Sequence, residues 1–203
     1  MNCSAVVLAG GRSRRMGRDK AGLPLGGRTL LQVMVDRLVP LFGRVLIIGA
    51  HRTEVTAEEA DQAGDLLPGA GPLGGLYTGL TLSPDAVNLA VPCDLPFLQE
   101  DLIRLLRRWA DSRQVVVPQG PDGLEPLCAF YHKSCLPAIE RALARGERKI
   151  RSFYPDVEVM TVPEAALRRV DPELLSFFNV NSRQDYLKAR KLADASVALH
   201  NRR

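Results

Sequence analysis

Short segments that are almost wholly apolar constrain the fold of this chain more than any other feature of its sequence. A strand with one solvent-exposed face alternates apolar and polar residues, so an unbroken apolar run is typical of a strand buried on both faces. Between these runs, residues 30–41 and 101–110 have apolar residues at helical spacing. Strands that alternate with helices predict βαβ units and a mostly parallel sheet covered by helices. The runs are residues 5–8, 45–48, 87–91 and 115–117.

The second half of the chain predicts further short elements. The segment 118–126 is rich in proline, glycine and aspartate and predicts a loop. Since no linker-like segment divides the chain, residues 1–195 are expected to form one domain, followed by a flexible basic tail at residues 196–203. Further strands are predicted at residues 127–131, 157–162 and 177–181.

Residue types that cap helices predict two helices in this half. Ser134 is the predicted N-cap of a helix that ends at Ala144, with Gly146 near its C-terminal end. Ser182 is predicted to open a last helix that runs to about Ala193, with an aspartate three residues on, where a capping box prefers glutamate. Both predictions rest on the backbone groups at helix ends, which these residue types satisfy.

Composition and charge exclude several classes of protein. The chain has 203 residues, of which 46% are hydrophobic, too high a fraction for a disordered protein. No run approaches the about 20 apolar residues of a membrane span, and the N-terminal run is too short for a signal peptide, so a cytoplasmic protein without a membrane partner is expected. The net charge of +4 suits an anionic small ligand but not a nucleic acid. Four cysteines and three histidines form no zinc pattern, which predicts buried, reduced thiols.

A loop of glycines and cations follows the first predicted strand. Residues 8–20 read LAGGRSRRMGRDK, and the stretch from Arg12 to Lys20 contains five cations and one anion. Adjacent Gly10 and Gly11 let the backbone turn sharply and bring N–H groups close to a ligand. A glycine turn at the carboxyl end of a parallel strand, followed by cations, is typical of a phosphate site; the alternative is a solvated arginine-rich loop. The spacing matches neither a Walker A loop nor the dinucleotide fingerprint.

A carboxylate follows the third apolar run, in the sequence PCDLPF at residues 92–97. Asp94 would stand at the carboxyl edge of the sheet, beside the glycine loop. Mg²⁺ is typically held by one or two carboxylates together with phosphate oxygens and water, so a single aspartate is sufficient there. The alternative is an aspartate that caps a helix or closes an Asx-turn.

Two more segments carry small or amide residues that suit a nucleotide site. Residues 69–76 read GAGPLGGL and lead into a helix that runs to about Leu82. Small residues would let a base lie close to the backbone there; the alternative is a tight turn that needs positive φ. Asn179 and Asn181, at a spacing of two, would point to the same face of a short strand, unless they serve as turn formers.

Together these motifs resemble the molybdenum cofactor guanylyltransferase family, which transfers GMP from GTP to a pterin phosphate. The resemblance covers nearly the whole chain: LAGGRSRRMGRDK at the start, GPLGG and VPCDLPFL in the middle, and EPLCAFY and FFNVNS later. The first loop alone resembles nucleotidyltransferases in general, and CDLP combined with FNVN favours this family among them. The resemblance implies a single-domain, three-layer α/β/α, Rossmann-like nucleotidyltransferase fold with a mostly parallel sheet.

The resemblance also implies site residues. Lys20, Asp94 and Arg15 would be catalytic, with Asp94 as the ligand of Mg²⁺, and the two asparagines would face the pterin. One position departs from the family, which often has an asparagine after the second strand: this chain has Gly49 there, and His51 either replaces the lost contact or is a surface residue. The binding residues implied are Leu8, Ala9, Gly10, Gly11, Arg12, Lys20, Asp65, Gly71, Pro72, Leu73, Gly74, Asp94, Asn179 and Asn181.

The implied reaction is transfer of GMP from GTP to the terminal phosphate of molybdopterin, or of molybdenum-molybdopterin, with release of pyrophosphate. The acceptor phosphate has a second pKa of about 6 and is a dianion at neutral pH, so it attacks without a general base. The product would pass to molybdoenzymes or cofactor-delivery proteins. Three alternatives remain open: cytidylyl transfer to the same pterin, nucleotidyl transfer to a sugar phosphate, and a non-catalytic nucleotide-binding protein.

Overall fold

An eight-stranded sheet with helices on both faces lies at the centre of the protein. The structure is a computed structural model, and it describes residues 3–10, 20–49, 55, 58 and 60–200, of which 196–200 are described for the backbone only. The strands are β1 (Ser4–Leu8), β2 (Pro24–Leu25), β3 (Arg28–Thr29), β4 (Val45–Ile48), β5 (Ala60–Ala63), β6 (Val87–Pro92), β7 (Val115–Gly120), β8 (Gly123–Leu124), β9 (Ala129–His132) and β10 (Val159–Val162). The helices are α1 (Leu30–Leu38), α2 (Gly71–Leu82), α3 (Glu100–Ala110), α4 (Leu136–Ala144), α5 (Glu164–Leu167) and α6 (Arg183–His200).

The sheet is mostly parallel, as predicted. Its strand order is β10-β7-β9-β6-β1-β4-β5, with β8 paired to β7, while β2 and β3 form a separate hairpin. The central strand β1 pairs in parallel with β4 and β6, and its last residue, Leu8, aligns with Ile48 and Pro92. Strand β9 lies antiparallel between β6 and β7, so those two strands still point the same way. The carboxyl ends of β1, β4, β6 and β7 therefore share one edge of the sheet.

The sheet and the helices on its two faces form the predicted three layers, with one hydrophobic cluster between the sheet and the helices on each side. On one face α1 and α3 pack against strand residues that include Val7 and Val91. On the other face α2 and α4 pack against residues that include Ala90 and Tyr131. The neighbours Ala90 and Val91 enter opposite clusters because side chains alternate across a strand. This double coverage is the reason for the unbroken apolar runs in the sequence.

The predicted strand at residues 177–181 is wrong. A 3-10 turn spans Leu175–Phe177, and the chain beyond it is irregular up to α6. There the Val180 N–H donates to the Asp94 carbonyl at 3.0 Å rather than to a neighbouring strand. Two further differences concern strands: β5 escapes prediction because its sequence, ADQA, is polar at the edge of the sheet, and the predicted loop at 118–126 contains the β7–β8 hairpin.

The start of α4 differs from its prediction, whereas its end agrees. Ser134 is not the N-cap, because its N–H donates to the His132 ring Nδ1 at 3.1 Å within a 3-10 turn. The α-helix itself begins after that turn, at Leu136. Gly146 has a φ of +78° just beyond the helix, a left-handed conformation that glycine adopts without steric cost.

The start of α6 confirms that Ser182 opens the helix, and Asp185 completes a capping box although glutamate is the preferred residue there. Ser182 Oγ accepts the Asp185 N–H at 3.1 Å, and Asp185 Oδ2 accepts the Ser182 N–H at 2.9 Å. The helix runs to His200, past the end predicted near Ala193. Over the described ranges, none of the helices is long and apolar enough to cross a membrane.

Candidate active site

The main chain just after β1 contacts the main chain at the end of β4 directly. The Ala9 N–H donates to the Ile48 carbonyl at 3.0 Å. Gly49 has a φ of +88°, and a Cβ added there would stand 2.8 Å from the Gly10 Cα. Any side chain at residue 49 would therefore collide with the backbone of Gly10, so this chain has no room for an asparagine at that position.

Lys20 joins two other predicted site residues. It begins a 3-10 turn, Lys20–Gly22, and its Nζ donates to Asp94 Oδ2 at 3.1 Å and to Asn181 Oδ1 at 2.7 Å. The side chains of Lys20 and Asp94 are 18% and 15% exposed. Because partial burial lowers the effective dielectric constant, the ammonium and the carboxylate attract each other more strongly than they would in water. Residues far apart in the sequence thus converge at the edge that β1 and β6 share.

Hydrogen bonds from main-chain N–H groups hold the segments that carry Asp94 and Asn181 in place. Asp94 follows β6 in a turn, and its carbonyl accepts the Val180 N–H at 3.0 Å. At the start of α6, Asp185 Oδ2 accepts the Asn181 N–H at 3.2 Å. Hydrogen bonds to Asp185, of which the one from the Ser182 hydroxyl has the largest effect, lower the pKa of its carboxyl group. Asp185 therefore remains an ionised acceptor at neutral pH.

Asn179 does not share the environment of Asn181. Its Nδ2 donates to the Phe177 carbonyl at 3.4 Å, whereas Asn181 accepts from Lys20. Because no strand forms here, a spacing of two does not place the amides on one strand face, and that part of the prediction is wrong. The orientation of Asn179 toward a pterin stays a prediction.

Asp65 lies between β5 and α2 and is bound by Thr78. Its Oδ1 accepts from the Thr78 hydroxyl at 2.8 Å and from the Leu67 N–H at 3.0 Å. Thr78 is a fully buried polar residue of α2, and the sequence analysis does not identify it as the partner of Asp65. Among the described residues, the Asp65 carboxylate forms no hydrogen bond with Lys20 or Asp94.

The predicted binding residues Gly71–Gly74 form the first turn of α2, not a loop before it. Gly71 has a φ of +71°, and a Cβ added there would lie 3.2 Å from the Arg148 Cβ. The Leu73 N–H donates to the Arg148 carbonyl at 3.1 Å. This segment therefore needs glycine both for its backbone conformation and for a close approach. The first turn also carries the partial positive charge of a helix N-terminus, which favours an anion nearby.

Buried thiols and phenols beside the sheet are held neutral. All four cysteines are free and buried, as predicted. Burial raises the pKa of Cys135 to about 12 and also raises the pKa of Cys128. Burial likewise raises the pKa of Tyr131 and Tyr154, whose hydroxyls share a hydrogen bond of 2.8 Å. None of these four groups is ionised at neutral pH, so none serves as an anionic nucleophile or base.

The donor set around Asp94 suits a hard divalent cation. Asp94 supplies carboxylate oxygens and Asn181 an amide oxygen, and both bind the same ammonium in this structure. Mg²⁺ prefers oxygen ligands and needs few from the protein when phosphates and water supply the others. Within the described part of the chain, no group of three or more His, Cys, Asp or Glu side chains could hold a metal. A cation at Asp94 would therefore depend on oxygens of the substrate.

The structure brings together some of the predicted site residues and leaves others untested. Lys20 is in direct contact with both Asp94 and Asn181, and residues 8–10 lie at the end of the neighbouring strand, β1. Asp65 and the first turn of α2 both follow β5, the edge strand, which is separated from β1 by β4. The remaining predicted residues of the loop after β1 and of the segment after β4 lie outside the described residues; they are Gly11, Arg12, Arg15 and His51.

Comparisons with known proteins agree with this geometry. Residues 5–159 match the family of MobA-like NTP transferase domains. A probable molybdenum cofactor guanylyltransferase from Pelotomaculum thermopropionicum is 37% identical over 97% of this chain and 96% of its own length. The molybdenum cofactor guanylyltransferase of Desulfosudis oleivorans is 36% identical over 92% of this chain and 93% of its own length.

Solved structures share the fold. Molybdopterin-guanine dinucleotide biosynthesis protein A from Archaeoglobus fulgidus superposes with a TM-score of 0.81 at 26% identity, over 95% of this chain and 99% of its own. The 2-C-methyl-D-erythritol 4-phosphate cytidylyltransferase of Thermus thermophilus has a TM-score of 0.69 at 18% identity, over 94% and 98%, and shows the fold alone. Given the family match over most of its length and these relatives, the chain belongs to the family of MobA-like NTP transferases.

Proposed function

We propose that this chain is a molybdenum cofactor guanylyltransferase, which transfers GMP from GTP to the terminal phosphate of molybdopterin or molybdenum-molybdopterin and releases pyrophosphate. The observation that carries the proposal is the contact of the Lys20 ammonium with Asp94 and Asn181 at the carboxyl edge of the parallel sheet. Relatives of nearly the same length, named as guanylyltransferases, support the choice of substrates. The product serves molybdoenzymes, or the proteins that deliver the cofactor to them, in the cytoplasm.

The nucleotide binds along the edge between β1 and α2. The backbone of residues 8–11 and the N-terminal turn of α2, Gly71–Gly74, surround its phosphates and base, because both offer close approach to the main chain. Arg12 and Arg15 add positive charge from the loop after β1. Asp65 contacts the nucleotide from a segment that Thr78 holds in place.

Asp94 is the residue that would hold Mg²⁺. The amide oxygen of Asn181 lies close by, because it accepts a hydrogen bond from the same Lys20 ammonium that binds Asp94. When bound, the metal supplies positive charge that neutralises phosphate oxygens. Lys20 supplies charge in the same place from the protein itself. Because Lys20 pairs with Asp94 in this structure, the site is partly neutralised before a substrate arrives.

The chain acts on the reaction chiefly through position and charge. An oxygen of the acceptor phosphate forms a bond to the α-phosphorus of GTP in line with the bond that breaks, between the α-phosphorus and the oxygen bridging to the β-phosphorus. The electron pair of that bond leaves with pyrophosphate, whose new charge Lys20 and Arg15 stabilise. The acceptor is a dianion above a pKa of about 6, so no residue has to remove a proton from it.

Cytidylyl transfer to the same pterin is an alternative that the fold does not distinguish from the proposal. A cytidylyltransferase has the same arrangement of strands and helices at low sequence identity, so the arrangement alone does not select the base. Transfer to a sugar phosphate and a purely binding role are tested by the same experiment. All of these alternatives differ from the proposal in nucleotide preference or in turnover.

The decisive experiment compares binding and turnover for each nucleotide. Thermal unfolding is measured with GTP, CTP, ATP and UTP, each with and without Mg²⁺. A ligand at 100 times its dissociation constant stabilises the folded state by about 2.7 kcal/mol, which raises Tm by about 5–10 °C for a chain of this size. We expect a Mg²⁺-dependent shift with GTP alone.

The same samples are then given molybdopterin, and formation of the dinucleotide and of pyrophosphate is measured. Product with GTP only supports the proposal. A shift and product with CTP instead would move the function to a cytidylyltransferase. Binding without pyrophosphate release from molybdopterin leads to a repeat with sugar phosphates as acceptors: release there would indicate a sugar-phosphate nucleotidyltransferase, and no release with any acceptor a non-catalytic protein. No shift with any nucleotide would contradict the phosphate site itself.

A further inference from the structure

Two segments from distant parts of the chain run side by side, in opposite directions, from the site toward α3. The segments are residues 94–99 and residues 176–181, and three contacts join them. At the site, the Asp94 carbonyl accepts the Val180 N–H at 3.0 Å. In the middle, the rings of Phe97 and Phe178 meet edge to face with centroids 5.8 Å apart. At the far end, Ser176 Oγ accepts the Gln99 N–H at 2.9 Å.

Ser176, at the far end of this pairing, is fixed by a buried carboxylate. Ser176 is fully buried, and Asp171 is only 4% exposed. Asp171 accepts two backbone N–H groups, Ser176 N–H on Oδ2 at 2.8 Å and Leu175 N–H on Oδ1 at 3.1 Å. Leu174, which lies between Asp171 and Ser176 in the chain, adopts a left-handed φ of +52°. This conformation is costly for a residue other than glycine and persists only where the surrounding structure imposes it. The turn is therefore held in one conformation.

The near end of the same segment carries Asn181, whose side chain binds Lys20. Ser176 is fully buried and its hydrogen-bond partners are Gln99 and Asp171, so it is not one of the residues around the Lys20 ammonium. The Val180 N–H and the Asn181 side chain are nevertheless on the short stretch that follows it. A shift of the segment along its partner would move the amide oxygen away from the Lys20 Nζ.

We propose that Ser176, held by Asp171, is a positioning residue that keeps Asn181 within hydrogen-bond distance of Lys20. This inference rests on the proposed function, because it assigns Ser176 a role in GMP transfer. Loss of the Ser176 hydroxyl leaves the Gln99 N–H without its acceptor, which favours movement of one segment against the other. A displacement of about 1 Å at a site that works by positioning can cost up to about 10²-fold in rate.

A double-mutant cycle tests the proposal, with Ser176→Ala, Asn181→Ala and the double variant. We expect Ser176→Ala to lower kcat by about 5- to 20-fold in the wild-type background, and by less than about 2-fold once Asn181 is already alanine, because residues that act through one another are not additive. Ser4→Ala is the matched control: Ser4 is also fully buried, and its Oγ donates to Asp85 Oδ2 at 2.7 Å at the amino end of β1. We expect it to lower Tm while leaving kcat unchanged.

The side-chain amide signal of Asn181 in an NMR spectrum gives a second measure of the Asn181 position, and it does not depend on activity. The signal is identified by its loss in Asn181→Ala, and we expect it to shift in Ser176→Ala but not in Ser4→Ala. If Ser176→Ala does not fold, Asp171→Asn replaces it, since asparagine keeps the volume but weakens the acceptor.

The outcomes separate the two proposals. An equal fall in kcat in both backgrounds, or an unmoved amide signal, overturns the positioning role. A wild-type chain that transfers no GMP overturns the proposed function, and the amide signal then decides the positioning role by itself.

Discussion

At the scale of single residues, the site depends on Lys20. Its ammonium has two oxygen partners, the Asp94 carboxylate and the Asn181 amide, in a place that is largely shielded from water. The sequence predicts Lys20 and Asp94 as partners of the same phosphates, but it does not show that they touch. Contact required the turn after β6 and the segment before α6 to meet, which depends on long-range packing.

Replacement of Lys20 tests its role in charge stabilisation. We expect Lys20→Ala to lower kcat for GMP transfer by about 10²- to 10³-fold, the loss seen when one preorganised donor to a developing charge is removed. Steady-state kinetics measure the effect. Arg44→Ala is the control: Arg44 is an exposed cation paired with Asp61, and its loss should leave kcat unchanged. A Lys20→Ala enzyme with kcat within about 3-fold of wild type would remove Lys20 from the mechanism.

Replacement of Asp94 tests the proposed metal ligand. We expect Asp94→Ala to abolish measurable GMP transfer and to weaken the binding of Mn²⁺ in the presence of GTP, because one carboxylate carries the protein's share of the coordination. Electron paramagnetic resonance of Mn²⁺ measures the second effect without any need for turnover. Asp61→Asn, at an exposed ion pair, is the control. Near wild-type transfer by Asp94→Ala would contradict the metal assignment.

At the scale of elements, α2 lies close to β1 because glycines face the strand. A Cβ added at Gly75 would stand 3.2 Å from the Leu8 Cδ2, and one at Gly79 would stand 2.2 Å from the Val6 Cγ1. This close approach lets α2 pack directly against the side chains of β1. The sequence marks the glycines, but only the packing shows which of them face the sheet and which serve the turn.

Gly79→Ala tests this approach. The added methyl group would overlap Val6, and overpacking of this kind costs about 1–3 kcal/mol, so we expect Tm to fall by about 2–12 °C. Differential scanning calorimetry measures the change. Gly43→Ala is the control, because a Cβ at Gly43 meets nothing within 4 Å. Because alanine is favoured over glycine inside a helix by about 1 kcal/mol, an unchanged Tm for Gly79→Ala would show that the overlap with Val6 costs no more than that gain.

At the scale of the whole molecule, cores on both faces of the sheet enclose the cysteines and the tyrosine pair. Cys3, Cys93 and Cys128 lie in the cluster under α1 and α3, and Cys135 in the cluster under α2 and α4. A reagent in solution therefore reaches each thiol only when one of the helical layers separates from the sheet. The burial that forms the fold is also what raises the pKa of Cys128 and Cys135.

Thiol reactivity tests the integrity of both layers together. We expect the native protein to react slowly with an aromatic disulfide reagent at pH 8, because the reagent attacks thiolates and all four thiols are buried. In guanidinium chloride all four should react at once. The absorbance of the released thiolate measures both rates. Rapid reaction of one thiol under native conditions would show that its layer opens locally.

The sequence by itself determines the doubly covered parallel sheet, because unbroken apolar runs are stable only where both faces of a strand are buried. It also determines that Asp94 stands at the edge where β1 ends, since carboxyl ends of parallel strands meet at one edge. Only the tertiary structure decides the contact of Lys20 with Asn181, the polar edge strand β5 and the irregular course of residues 177–181. Those features depend on hydrogen bonds between segments far apart in the chain, such as Val180 to Asp94, which no local pattern encodes.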